Sequence, residues 1–398
     1  MKILLINTAS YPNIGGVENS LNYIAKELIN QSHEVIIVSF DSIKNEVDYI
    51  EHNGVWYYKI PLRAAVGAPM RLFYLNKAVK KEIGKIIEDF KPNEIWSRSA
   101  LLSFCVKRLN LNIPITQIYA TTAWLHTKGT YFTKDKLGVW KRIKFVIFFL
   151  MDFPTMFLIE QFLVTRTKSV VFSDLMVHQL NKNYKNIKKL LKIPPGIDHS
   201  IFSIENASKY DLEFNKKYPM LKDGYLLYVG RLSSAKNIDL LIEGYGKSEL
   251  KYPLVLVGSG SHQSFLESKV NTLGIDKNVF FVGKQTDLLP SFYTNAKLTI
   301  LPSTIETFGQ VIIESMACGT PVMGFGRKEK YNNGILTAFS EIIVNGRTGV
   351  EMNEVSIESI ELGVNNFLKT EIDYKSNCIK ESENYFWGKF IKKMINAV

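Results

Sequence analysis

Short apolar runs and amphipathic stretches alternate along most of the chain. Strands are expected over residues 2–6, 34–40, 55–60, 93–96, 114–119 and 169–172, where brief Val-, Ile-, Leu- or aromatic-rich runs are bounded by turn formers. Helical spacing falls between them. Leu21, Ile24, Ala25 and Leu28 share one face of a helix over 17–30, and a second helix is expected from about 76 to 90. Pro194-Pro195-Gly196-Ile197-Asp198 then breaks the pattern and marks a linker. The alternation resumes with strands over 225–229, 254–257, 279–283, 298–301 and 322–325, helices over 238–244 and 310–318, and amphipathic helices to the end. Strand and helix in alternation imply parallel sheets, so the expected fold class is α/β with two doubly wound, Rossmann-like domains.

At 398 residues the chain exceeds what a single core usually holds, which agrees with two domains. Its 46% hydrophobic and 22% charged residues exclude extensive disorder. Forty-nine Lys and Arg against 38 Asp and Glu give +11, which favours a negatively charged partner without choosing among nucleotide, polyanion, nucleic acid and anionic membrane. Cys105, Cys318 and Cys378 are far apart and lack metal-ligand spacing, so a reducing cytosol fits better than secretion. The opening Met1-Lys2-Ile3-Leu4-Leu5-Ile6-Asn7 reads as a strand rather than a signal peptide. The longest apolar region, 145–164, is interrupted by Asp152, Pro154 and Glu160, and no membrane span is expected.

Candidate chemistry sits in the loops after strands. Gly15-Gly16, in the first strand-to-helix loop, can bring backbone amides to a phosphate or sugar, or serve as a plain turn; GxGxxG is missing, and so is the third glycine after Gly258-Ser259-Gly260, so a dinucleotide oxidoreductase is not supported. Arg98 follows the 93–96 strand at the expected ligand edge, and His126 follows the 114–119 strand more loosely. Gly230-Arg231-Leu232-Ser233-Ser234-Ala235-Lys236 places two cations between a strand's carboxyl end and a helix start, where they and free amides can hold a diphosphate. After the 298–301 strand, Glu306 lies in a loop, Gly309 permits close backbone approach, and Glu314 lies on the following helix, separated from Glu306 by seven residues. Lys134, Lys136, Lys141, Arg142 and Lys144 lead into the apolar run 145–149, which suits either docking on anionic membrane or a core-packed helix with a solvated basic end.

Taken together, the first-loop glycines, the proline-rich junction, the G-R-L-x-x-x-K stretch, the E-x7-E stretch and Gly319-Thr320-Pro321 resemble the retaining glycosyltransferases of the GT4 type, which have the GT-B fold. The resemblance spans nearly the whole chain. It implies two domains facing across a cleft: an acceptor-binding domain over 1–193, joined by a C-terminal helix over about 384–398, and a nucleotide-sugar-binding domain over 194–383. It implies transfer of a hexose-type sugar from a nucleoside diphosphate sugar to a glycan or lipid-linked acceptor, with retention, without metal or other cofactor, and with no nucleic acid partner. Arg231 and Lys236 would neutralise the leaving diphosphate, and Glu306 would hold the donor sugar. Glu314 would bind the ribose, with Gly15, Gly16, Gly230, Phe308 and Gly309 lining the donor, and Arg98 and His126 on the acceptor side. Many relatives carry a histidine just after the strand that here ends in Tyr119-Ala120-Thr121-Thr122; this chain has none there, which leaves His126 as a weak substitute. The expected location is cytoplasmic, peripheral on the inner membrane face. A nucleotide-sugar epimerase and a non-catalytic membrane- or polyanion-binding protein are the competing readings.

Overall fold

The computed structural model describes residues 1–12, 16–42, 46–62, 68–125, 139–249, 252–326, 335–370 and 372–397. The chain divides between Pro195 and Gly196 into two compact units, and the C-terminal helix (Trp387–Asn396) belongs to the first.

The first unit is built on an eight-stranded sheet of β1 (Lys2–Asn7), β2 (Glu34–Ser42), β3 (Asp48–His52), β4 (Val55–Pro61), β5 (Glu94–Ser97), β6 (Ile115–Tyr119), β7 (Lys168–Val171) and β8 (Lys189–Lys192), in the order β3-β4-β2-β1-β5-β6-β7-β8. Among the described residues of this sheet only the β3–β4 pair is antiparallel. The inner strands are largely buried because helices cover both faces; β1 and β2 are mostly apolar, while β5 and β6 also bury Glu94, Thr116 and Gln117. Those helices include α1 (Gly16–Asn30), α2 (Ala68–Ala78), α3 (Gly84–Phe90), α4 (Ala100–Lys107), α5 (Val139–Val164) and α6 (Asp174–Asn183). Leu4, Ile6, Val38, Ile95, Leu102, Ile159 and Leu163 form the centre of one buried cluster.

Several elements depart from the sequence pattern for identifiable reasons. The helix expected from residue 76 starts at Ala68 and runs through a π turn (Val79–Ile83) into α3; its first turns put Met70 and Phe73 on the exposed side, which blurs the apolar stripe. The edge strands β3 and β8 escape detection because their outer positions are polar or charged, and β8 is bracketed by Lys189 and Lys192. Helix α4 is started by Ser99, whose hydroxyl accepts from the Leu102 amide. In α5, Ile159, Leu163 and Val164 are buried, so its C-terminal half packs on the core, whereas Val146, Leu150 and Leu158 are exposed. Lys141, Arg142 and Lys144 fall in this helix, while Lys134 and Lys136 lie outside the described residues. Among the described residues no helix is long and apolar enough to cross a membrane.

The second unit carries a six-stranded parallel sheet of β9 (Leu226–Val229), β10 (Leu254–Val257), β11 (Val279–Gly283), β12 (Leu298–Leu301), β14 (Val322–Phe325) and β16 (Gly349–Met352), in the order β11-β10-β9-β12-β14-β16. A two-stranded parallel ribbon joins β13 (Ile305–Glu306) to β15 (Leu336–Thr337) beside it. The flanking helices include α7 (Ile238–Lys247), α8 (Gln263–Thr272), α9 (Leu289–Thr294), α10 (Gln310–Ala317) and α11 (Ile357–Leu368). β16 is not among the expected strands, since its short run starts on Gly349 and is interrupted by Glu351. Both sheets thus belong to the doubly wound class.

The C-terminal helix buries Trp387, Phe390, Ile391 and Met394, with Phe390 edge-on to Phe172 at 6.3 Å and Trp387 stacked near Tyr23 at 6.1 Å. Phe390→Ala should therefore destabilise the first unit by about 3–5 kcal/mol. Urea denaturation followed by tryptophan fluorescence checks this; a loss below about 1 kcal/mol would show that the helix is not part of that unit's core.

Candidate functional sites

In an open parallel sheet, the loops after two neighbouring strands part where the strand order reverses, and the crevice between them is where ligands bind. In the second unit β10 and β11 lie on one side of β9, and β12 and β14 on the other. The reversal falls between β9 and β12. The loop after β9 carries Gly230, Arg231 and one 3-10 turn (Ser234–Lys236); the segment after β12 carries Glu306. Lys236 Nζ donates to Glu306 Oε2 at 2.7 Å, with the two side chains 29% and 26% exposed. Asn237 Nδ2 donates to the carbonyl of Pro302 at 3.0 Å, a second tie between the two loops. Arg231 is exposed, and its carbonyl accepts from the Tyr228 hydroxyl at 3.1 Å.

Glu306 is fixed by backbone pairing, its carbonyl accepting from the Ala338 amide at 2.9 Å. Gly309, with φ of 84°, then turns the chain into α10; a Cβ there would meet Ile312 Cδ1 at 2.7 Å and Glu306 Cγ at 3.2 Å, so the glycine keeps space beside the carboxylate. Phe308 is buried edge-on to Tyr385 and anchors the turn. Glu314 follows on α10, where the Tyr293 hydroxyl donates to Oε2 at 2.8 Å. Burial pushes its carboxyl up to about 7, against the Tyr293 hydrogen bond. No ion pair links Glu314 to Arg231 or Lys236, so the structure brings Lys236 and Glu306 into contact and leaves Glu314 on the helix behind. Gly258 serves packing: a Cβ on it would lie 1.9 Å from the Gly230 carbonyl oxygen, and Leu232 N donates to Ser259 O. That turn supports the Gly230–Lys236 loop from below.

In the first unit the order reverses between β1 and β5. A cavity of about 380 Å³ opens there, with Asn7 at the end of β1 and Thr8 after it, Arg98 and Ser99 after β5, and Thr121 and Thr122 after β6 among its walls. Glu160 of α5 also lines it, buried, accepting from the Ala123 amide at 3.0 Å and from the Tyr184 hydroxyl. Burial pushes Glu160 up to about 7, with those two hydrogen bonds opposing. Gly16 opens α1, and Gly15 and His126 lie outside the described residues. Sequence reading did not single out Glu160, Tyr184, Tyr293 or Asn237. A signal existed for Glu160, a lone carboxylate inside an apolar run; the other three gain meaning only from their partners. Among the described residues, no group of three or more His, Cys, Asp or Glu is placed to hold a metal ion.

Two doubly wound parallel sheets, each with loops parted at a switch point, define the architecture of the GT-B glycosyltransferases. The chain aligns over its whole length with the sucrose-phosphate synthase of Thermosynechococcus elongatus, at a TM-score of 0.81 and 18% identity and covering 98% of that chain. It also aligns over its whole length with Anabaena HepE in complex with UDP and glucose, at a TM-score of 0.73 and 16% identity and covering 100% of that chain. In sequence it is 26% identical over 351 residues to the alpha-monoglucosyldiacylglycerol synthase of Streptococcus pneumoniae, covering 85% of this chain and 73% of that protein. Residues 211–385, less than half of the chain, match the family of glycosyl transferases group 1, which supports transferase activity.

Glu160 has a direct consequence for stability. Its folded value is raised above the ordinary 4.5, so between about 4.5 and 7 the native state binds more protons than the unfolded chain, and stability falls as pH rises through that window. Glu160→Gln should flatten this slope, recovering on the order of 2–3 kcal/mol at pH 8 relative to pH 4.5. Denaturant unfolding of both proteins across that range is the check, and parallel curves would mean that Glu160 is not held protonated.

Proposed function

We propose that the chain transfers a hexose-type sugar from a nucleoside diphosphate sugar to a glycan or lipid-linked acceptor, with retention of anomeric configuration and without a metal ion. The observation that carries this reading is the Lys236–Glu306 pair at the switch point of the second sheet, with Arg231 in the same loop. Cleaving the bond between sugar and diphosphate builds negative charge on the leaving phosphate, which fixed cations stabilise more in the transition state than in the bound donor. Lys236 and Arg231 take that role. Glu306, beside the space kept open by Gly309, accepts hydroxyls of the donor sugar, and Glu314 accepts the ribose hydroxyls. Gly230 and Phe308 contribute backbone approach and shape. The HepE complex with UDP and glucose supports a uridine nucleotide as the first donor to try.

Removing Lys236 or Arg231 by alanine substitution should lower donor turnover by about 10²–10³ each, the range seen for single transition-state stabilisers. Product formation from a panel of nucleoside diphosphate hexoses, with Glu306→Gln alongside, is the measurement. Wild-type turnover in all three variants would sink the site assignment, and release of an epimerised donor sugar without transfer would move the chain to the epimerase reading.

The acceptor side includes the first unit, and the exposed Val146, Leu150 and Leu158 of α5 with Met70 and Phe73 of α2 support peripheral attachment at a cytoplasmic membrane face. Sedimentation with anionic vesicles should carry the protein down at low salt, and Leu150→Glu should reduce it several-fold, since a charge is disfavoured where an apolar side chain enters the interface. Equal sedimentation of both proteins would exclude this face.

A further inference from the structure

The cavity at the switch point of the first sheet holds a cation that the described protein groups leave largely unmatched. Arg98 is the first residue beyond β5, and its amide donates to the Ile6 carbonyl at 3.2 Å, which fixes it beside the end of β1. Its side chain lines the cavity with Cζ 5.2 Å from the centre of the Phe172 ring. A guanidinium has five N–H groups. Here Nη1 donates to the Ser20 hydroxyl, while Nε is buried without a partner. No carboxylate of the described residues lies within ion-pair distance of Arg98. Glu18, the acid whose charge acts on it, and Asp152 line the cavity beyond ion-pair distance of Arg98, and Glu160 is engaged by Ala123 and Tyr184. Burial pulls the guanidinium down to about 10, which still leaves it charged at neutral pH.

A desolvated charge without a counterion is costly, and a guanidinium's fork matches an oxyanion in two parallel hydrogen bonds. Other features of the same cavity favour an anion. Ser99, Ala100 and Leu101 at the amino end of α4 line it, where the helix contributes amides and positive partial charge. Arg71 lines it from an exposed position on α2. A volume of about 380 Å³ exceeds what a bare phosphate fills, so a small polyol or sugar can accompany the anion.

We propose that this cavity is an oxyanion site in which Arg98 grips a phosphate or carboxylate group, and that the sugar acceptor carries that group. The second half of this statement rests on the transferase reading above; the first half does not.

The test uses the full-length chain with excess UDP present, so that anion binding in the second unit is already saturated. Inorganic phosphate, glycerol 3-phosphate, dihexanoyl phosphatidate, succinate and neutral glycerol are titrated by thermal melting. At least one oxyanion should raise the melting temperature of the wild type, and glycerol should not. Arg98→Gln should weaken that binding by about tenfold or more, as expected for losing a charge-assisted pair, and Arg98→Lys by less. Arg71→Gln, exposed and neutral for folding, should weaken it by about threefold, which keeps the test open if the Arg98 variants do not fold. Preference between glycerol 3-phosphate and dihexanoyl phosphatidate separates a soluble phosphate ester from a lipid headgroup. No response of the wild type to any oxyanion, or the same response in the wild type and all variants, would overturn the proposal. Donor hydrolysis by the wild type without acceptor is followed in parallel. If it is absent while the anion response depends on Arg98 or Arg71, the donor reading fails and the anion site stands.

Discussion

The constraint on which both units depend is the reversal of strand order beside the first strand of each parallel sheet. β1 and β9 each begin a sheet that grows first to one side and then to the other, so the segments leaving the two central strands diverge toward opposite faces. The gap cannot be closed by the helices, because each helix must cover the apolar face on its own side. Polar loops therefore line it. In the second unit those loops bring Lys236 to Glu306; in the first they place Arg98 beside Asn7 and Thr8.

The two crevices treat charge differently. The Lys236–Glu306 pair is partly exposed, and such a pair is worth little by itself, about 0–1 kcal/mol. Lys236 can therefore exchange its carboxylate for a phosphate at small cost, while Glu306 is freed to accept sugar hydroxyls in the proposed reaction. Among the described residues no carboxylate pairs with Arg98 in this way. Glu314, half-buried, and Glu160, buried, are carboxyls of similar raised value, each partnered by a tyrosine hydroxyl. Position separates their expected roles: Glu314 lies on the helix behind Glu306, and Glu160 in the wall of the first-unit cavity.

Much of the architecture was legible in the chain because its central strands are short, continuous apolar runs. The expected strands over 254–257, 279–283, 298–301 and 322–325 coincide with β10, β11, β12 and β14. Elements at the edges were hidden, since β3 and β8 carry polar or lysine side chains where an edge must resist pairing with other chains. Glu306 and Lys236 could be suspected from loop position, yet their contact spans 70 residues and depends on which strands become neighbours. Spacing along the chain does not specify that order. For the same reason Arg98 could be placed at a ligand edge from its position after a strand, whereas its enclosure by β1, β5 and Phe172 could not be read from the chain.

The central claim, that the loop after β9 and the segment after β12 hold a nucleoside diphosphate sugar, is tested most directly by a crystal structure of the full chain with a nucleoside diphosphate. Phosphate oxygens should lie within about 3 Å of Lys236 Nζ, with the Lys236–Glu306 contact broken or lengthened. A diphosphate bound away from this loop, with the ion pair intact, would contradict it.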